Sequence, residues 1–117
     1  MQLHIKREEQ RRGLIFKKTV YLVHSQLLVS EEERAAMKTL DLDDLRIVDA
    51  YECDGLPQGN RKVGYWTDKG NVFLCANIPE AQRVEQEIKE AATHIKDVVT
   101  QFIEDGAVTE GEAIIDL

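Results

Sequence analysis

Nucleophilic catalysis needs a Ser, Cys or Thr held against a base, and that base is usually histidine. The chain carries only His4, His24 and His94. His24 closes an apolar, strand-like run, and His94 flanks the apolar positions of a helical pattern beside Ile95. Both placements suit a sheet-face or surface histidine. No serine stands in a G-x-S-x-G setting. Cys53 and Cys75 complete the metal-ligating types, yet no C-x-x-C or H-x-x-x-H spacing brings two ligands to one turn. Asp41-x-Asp43 opens like a calcium loop, but the glycine and distal glutamate of such a loop do not follow. Gly55-x-x-x-Gly59 sits between strand-like segments and lacks the Gly-Lys-Ser/Thr that cradles phosphate. The expectation is a protein with no catalytic residue, no metal and no cofactor. A small enzyme whose site is invisible in sequence is the alternative.

Cations are the more informative set. Residues 1–29 hold Lys6, Arg7, Arg11, Arg12, Lys17 and Lys18 against Glu8 and Glu9, a local excess of +4 in a chain of net charge −7. A second basic stretch, Arg61 and Lys62, precedes Tyr65 and Trp66. Cations beside aromatic rings suit a phosphorylated ligand or single-stranded nucleic acid, with bases stacked on a ring such as Trp66. Strand alternation opposes part of this, since Tyr65 and Trp66 would face opposite ways and one would enter the core. Acid dominates elsewhere: residues 30–60 sum to −6 and 80–117 to −7. The basic segment therefore has acidic partners within its own fold or on a second copy.

The elements that must position these residues follow from periodicity. The 117 residues, 43% hydrophobic and 32% charged, fit a single globular α+β domain spanning 1–117. No apolar run approaches the roughly 18 residues of a membrane span, so no membrane partner and a cytoplasmic address are expected. Cys53 and Cys75 fit that compartment as buried thiols. Leu3-His4-Ile5-Lys6 alternates like a half-buried strand, Gln10 to Gly13 supplies a turn, and Leu14 to His24 reads as the returning strand. That hairpin would carry Arg11 and Arg12 at its tip. Ser30, with Glu33 three residues on, forms a capping box for a short helix through Ala36, Met37 and Leu40. Arg46 to Cys53 reads as a strand, and Val63–Thr67 with Asn71–Ala76 as a second hairpin around Asp68-Lys69-Gly70.

A helix from about Ile78 to Asp105 is the firmest expectation, capped by Asn77 with Glu80 three residues later. Ala81, Val84, Ile88, Ala91, Ile95, Val98 and Phe102 recur in alternating steps of three and four, with Ala92, Val99 and Ile103 widening the stripe. Such a stripe packs on a sheet, or on a second copy as a coiled coil. Ile88, Ile95 and Phe102 are thus candidate interface residues. So are Ile114, Ile115 and Leu117, whose apolar run near the chain's end reads as an additional edge strand.

The predicted architecture is an antiparallel sheet of about five strands in the order β-β-α-β-β-β-α, with an extra C-terminal strand. That order is similar to longin-like and roadblock-like domains, and more loosely to profilin-like ones; the resemblance implies a platform for ligands or partners. The functional expectation is a small, non-catalytic, homo-oligomeric interaction module that also offers surfaces to a protein partner. The alternative is an anion or nucleic-acid binder working through the basic hairpin.

Overall fold

The computed structural model describes residues 1–42 and 63–115. The chain is α+β, built on a three-stranded antiparallel sheet. Strand β1 (Gln2–Arg12) pairs with β2 (Lys18–Leu28) in a register running from Gln2↔Leu28 to Arg12↔Lys18. Strand β3 (Asn71–Cys75) adds to the other side of β2, from Tyr21↔Cys75 to Ser25↔Asn71. Period-two alternation gives the sheet two faces. Val23, Leu27, Phe73 and Cys75 enter the main core on one face, with Leu3 and Ile5 packed against it. Val20, Leu22 and Leu74 form a smaller buried cluster on the other.

Helix α1 (Glu31–Thr39) starts as its sequence dictates. The Ser30 hydroxyl accepts from the Glu33 amide (3.2 Å) and the Glu33 carboxylate accepts from the Ser30 amide (2.9 Å), a complete capping box. The helix stops at Leu40 because Asp41 turns to φ +54°, a conformation that aspartate tolerates better than most residues.

Three expectations change. Val63–Thr67 is not a strand: α2 (Val63–Asp68) replaces the first arm of the expected second hairpin. A helical turn buries both Trp66 and Thr67, and directs Asp68 outward to pair with Arg34. Strict strand alternation would have placed those neighbours on opposite faces. The longest helix, α3 (Ile78–Ile115), does not end near Asp105 but continues through Gly106. Ala113, Ile114 and Ile115 are therefore helical and not an edge strand. Finally, the sheet has three strands among the described residues, so the five-strand order and the likeness drawn from it do not carry over. The expected strand Arg46–Cys53 lies outside the described residues.

Helix α3 begins at the expected cap, where the Asn77 side chain accepts from the Glu80 amide (2.9 Å) and the Glu80 carboxylate from the Ala76 amide (3.1 Å). Its buried stripe is Ala81, Val84, Ile88, Ala92, Ile95 and Val99, continued by Ile103. These positions average about 3.6 residues apart, the natural period of a straight helix, rather than the 3.5 of a coiled coil. The stripe thus drifts from Ala91 and Val98 onto Ala92 and Val99, and Phe102 is left on the outside.

Candidate functional site

The hairpin joining β1 to β2 extends beyond the third strand. Cys75, the last residue of β3, sits opposite Tyr21, so the pairs Gln10↔Val20, Arg11↔Thr19 and Arg12↔Lys18 lie past the end of β3. The turn itself occupies Gly13–Lys17, later than the Gln10–Gly13 turn read from the sequence. Arg11 and Arg12 end a strand, and the tip is Leu14, Ile15 and Phe16, at 102%, 86% and 89% exposure. Gly13 makes this loop possible. Its φ is +120°, and a Cβ there would fall on the carbonyl oxygen of Phe16.

Cations ring the tip. Arg11, Lys17 and Lys18 are exposed and Arg12 is half-buried. Among the described residues no carboxylate lies within ion-pairing distance of these four. Arg12 is held by a polar ladder along the face of the sheet opposite α3. Its Nε donates to Gln10 (3.2 Å), the Gln10 amide donates to Glu8 (3.1 Å), and the other Glu8 oxygen meets His24 Nε2 at 2.9 Å. The Gln10 amide first, and His24 second, hold the Glu8 carboxyl below its ordinary range. The ladder stiffens the exposed end of the hairpin and absorbs Glu8 into an internal contact, while Glu9 stays exposed.

The other cationic candidates separate from this end. Arg7 makes a bidentate pair with Glu85 of α3, with Nε donating at 2.7 Å, and this bond raises the pKa of the guanidinium. Lys6 lies on the ladder's face, beside a shallow concavity of about 670 Å³ lined in part by His4, His24 and Lys69. Trp66 is wholly buried and offers no ring to a base. Arg61 and Lys62 lie outside the described residues. Helix polarity adds to the separation. Arg7 meets Glu85, while Met1 and Leu3 lie beside Ala92 and Lys96, so α3 runs away from the hairpin tip. No Lys or Arg follows Lys96, whereas Asp97, Glu104, Asp105, Glu110 and Glu112 do. The two ends of the molecule therefore carry opposite charge.

Of the interface candidates, Ile88 and Ile95 are fully buried against the chain's own sheet, and they offer no surface. Phe102 is exposed at 37%. Ile114 and Ile115 lie in the last turn of α3, and Leu117 lies outside the described residues. Among the described residues Cys75 and His94 stand apart from His4 and His24, which line the same concavity, and Cys53 lies outside the described residues. Cys75 is buried on the α3 face, His24 is on the opposite face, and His94 is exposed on the outer side of α3. Among the described residues no three ligating side chains gather to hold a metal, and no helix is long and apolar enough to cross a membrane.

The sequence reading missed Leu14, Ile15 and Phe16. Their signal was present: three consecutive apolar residues break period-two alternation, and they lie between paired cations directly after a glycine.

Fold and surface together define an α+β domain whose most distinctive feature is a cationic hairpin with an apolar tip. No family model, curated protein or solved structure matches the chain.

Proposed function

We propose that the chain is a small, non-catalytic binding module whose working surface is the free end of the β1–β2 hairpin. One observation carries this reading: three large apolar side chains stand almost fully in water at the tip, inside a collar of four cations. Exposed apolar side chains grouped in this way mark an interaction site more often than an accident of folding. The separation of the buried Cys75 from the face that carries His4 and His24 supports the non-catalytic part. A phosphorylated ligand held jointly by Arg7 and Trp66 has no support, since one is engaged by Glu85 and the other is buried.

The test is a photo-crosslinking residue placed at Ile15 in the cell, with the same residue at His94 as a control on the outer face of α3. Adducts of any chemical class are expected from position 15 and not from 94. They should disappear when Arg11→Glu and Arg12→Glu are added to a chain whose far-UV circular dichroism is unchanged. Equal labelling at both positions, or none at 15, removes the reading.

Self-association is a second reading, favoured by the exposed Phe102 on α3 and by the opposite charges of the two ends. Light scattering should then give a mass above the 13.4 kDa of one chain, restored to one chain by Phe102→Asp. A single-chain mass for the unaltered protein at every concentration excludes it.

A further inference from the structure

We propose that the hairpin end is an anchor for an anionic phospholipid surface, docking end-on with Leu14, Ile15 and Phe16 among the upper acyl chains and the cations at headgroup level. The proposal rests on the hairpin end being the working surface, and it names the partner. This departs from the expectation of no membrane partner, which rests on the lack of a spanning run; a loop entering one leaflet needs no span.

Four observations point to this partner. First, the tip is apolar at three successive positions, and all three side chains are exposed together. Gly13 fixes that presentation, because its φ of +120° lets the chain fold back against the Phe16 carbonyl. A loop of this size reaches roughly the 5–10 Å depth at which apolar groups of surface-bound proteins settle.

Second, Arg11, Arg12, Lys17 and Lys18 lie immediately behind the apolar residues on both strands, and residues 10–18 contain no acid. Apolar wedge in front and cations one step behind is the order of layers in an anionic leaflet, hydrocarbon beneath phosphate. Among the described residues no carboxylate lies within ion-pairing distance of these four charges.

Third, the tip carries +4 in a chain of net −7, so the remainder carries −11. An anionic surface therefore favours a tip-first approach. With α3 running away from the tip, its acidic far end is held off the surface, beyond the roughly 10 Å reach of charge interactions at ~0.1 M salt.

Fourth, the arrangement fits nucleic acid less well. Tracking a phosphate backbone needs cations spaced along a groove and rings for the bases. Here Arg7 is paired with Glu85, Glu9 is exposed on the same strand, Trp66 is buried, and the tip offers one ring, Phe16, rather than a series.

The experiment is flotation of the full chain with vesicles of phosphatidylcholine alone, or of phosphatidylcholine with about one part in three phosphatidylserine, at ~0.1 M salt. Binding is expected only to the serine-containing vesicles. Arg11→Gln with Arg12→Gln should weaken it by about 30-fold, or about five-fold per cation. Leu14→Ser, Ile15→Ser and Phe16→Ser together should weaken it by on the order of ten-fold or more. These residues lie at a solvent-exposed end, so circular dichroism should confirm an intact fold. A Phe16→Trp chain tests insertion directly: its emission should move to the blue on binding and be quenched by brominated acyl chains. Equal binding to both vesicle types, unchanged binding by the triple serine chain, or no quenching overturns the proposal. If vesicles fail while position 15 still crosslinks, or if an oligonucleotide binds more tightly than the vesicles, the lipid assignment falls and the hairpin remains the working surface. If both vesicles and crosslinking fail, the two readings fall together.

Discussion

Trp66 separates two accounts of the basic region, and its replacement gives a result that only one survives. As a platform for a base it would be exposed, and Trp66→Ala would remove binding while leaving stability nearly untouched. In the structure it is wholly buried, in the same cluster as Phe73, Met37, Val23 and Ile88. Removing a fully buried aromatic side chain costs about 3–5 kcal/mol, lost transfer energy and residual cavity combined. Domains of this size have about 5–15 kcal/mol in total, so Trp66→Ala leaves a marginal fold. Trp66→Phe is the informative companion. Among the described residues the buried indole Nε1 has no hydrogen-bond partner, an arrangement that itself costs about 1–3 kcal/mol. Phe keeps most of the apolar volume and discards that orphan donor, so the net loss should stay within about 1 kcal/mol. Urea unfolding followed by far-UV circular dichroism measures both, and acrylamide quenching of the native protein reports on this single tryptophan. A loss below about 1 kcal/mol for Trp66→Ala, or an indole freely quenched in the native state, would refute the core assignment.

Three further predictions concern local geometry. Ser30→Ala should destabilise by about 1 kcal/mol, read as a fall of several degrees in Tm, because the first turn of α1 loses an acceptor. The Ser30 amide, with the N-terminal ammonium 3.2 Å away adding to it, holds the Glu33 carboxyl below its ordinary 4.5. A depressed carboxylate stabilises the fold above its unfolded-state pKa, so this contribution should be complete above about pH 5 and fade as pH falls below 4.5. Urea midpoints for Glu33→Gln should lose that part of the acid-side slope; an unchanged profile contradicts the assignment. Gly70→Ala should cost about 1–3 kcal/mol, since φ is +77° and the new Cβ would lie 2.7 Å from the carbonyl oxygen of Ser25 in the sheet. An unaltered Tm would show that the turn before β3 is looser than described.

Several features were legible because their causes are local. The Ser30–Glu33 box and the Asn77 cap are contacts between residues three apart, so the residue types suffice to write them. Alternation in Leu3–Lys6 and the β-branched run after Lys18 specify paired strands, and the apolar spacing from Ala81 onward specifies a helix with one buried stripe. Other features depended on choices that local sequence leaves open. Whether the hairpin turns at Gln10–Gly13 or at Gly13–Lys17 depends on which register buries Val23 and Leu27 beneath α3, and that register carries Leu14, Ile15 and Phe16 out to the tip.

Residue types and their spacing settle the elements with strong internal signals, the uneven charge and the cations flanking Gly13. Tertiary packing decided the rest. Val63–Asp68 is rich in residues that favour strands, yet a short helix lets Trp66 fill the core beside Phe73, and burying a large ring outweighs a propensity worth tenths of a kcal/mol per residue, or about 1 at most. The stripe on α3 runs through Ala92 and Val99 rather than Ala91 and Val98 because a straight helix on a sheet keeps its own period. That drift of about one residue takes Phe102 out of the seam and Ile103 into it. It is a difference only the packed partner can select.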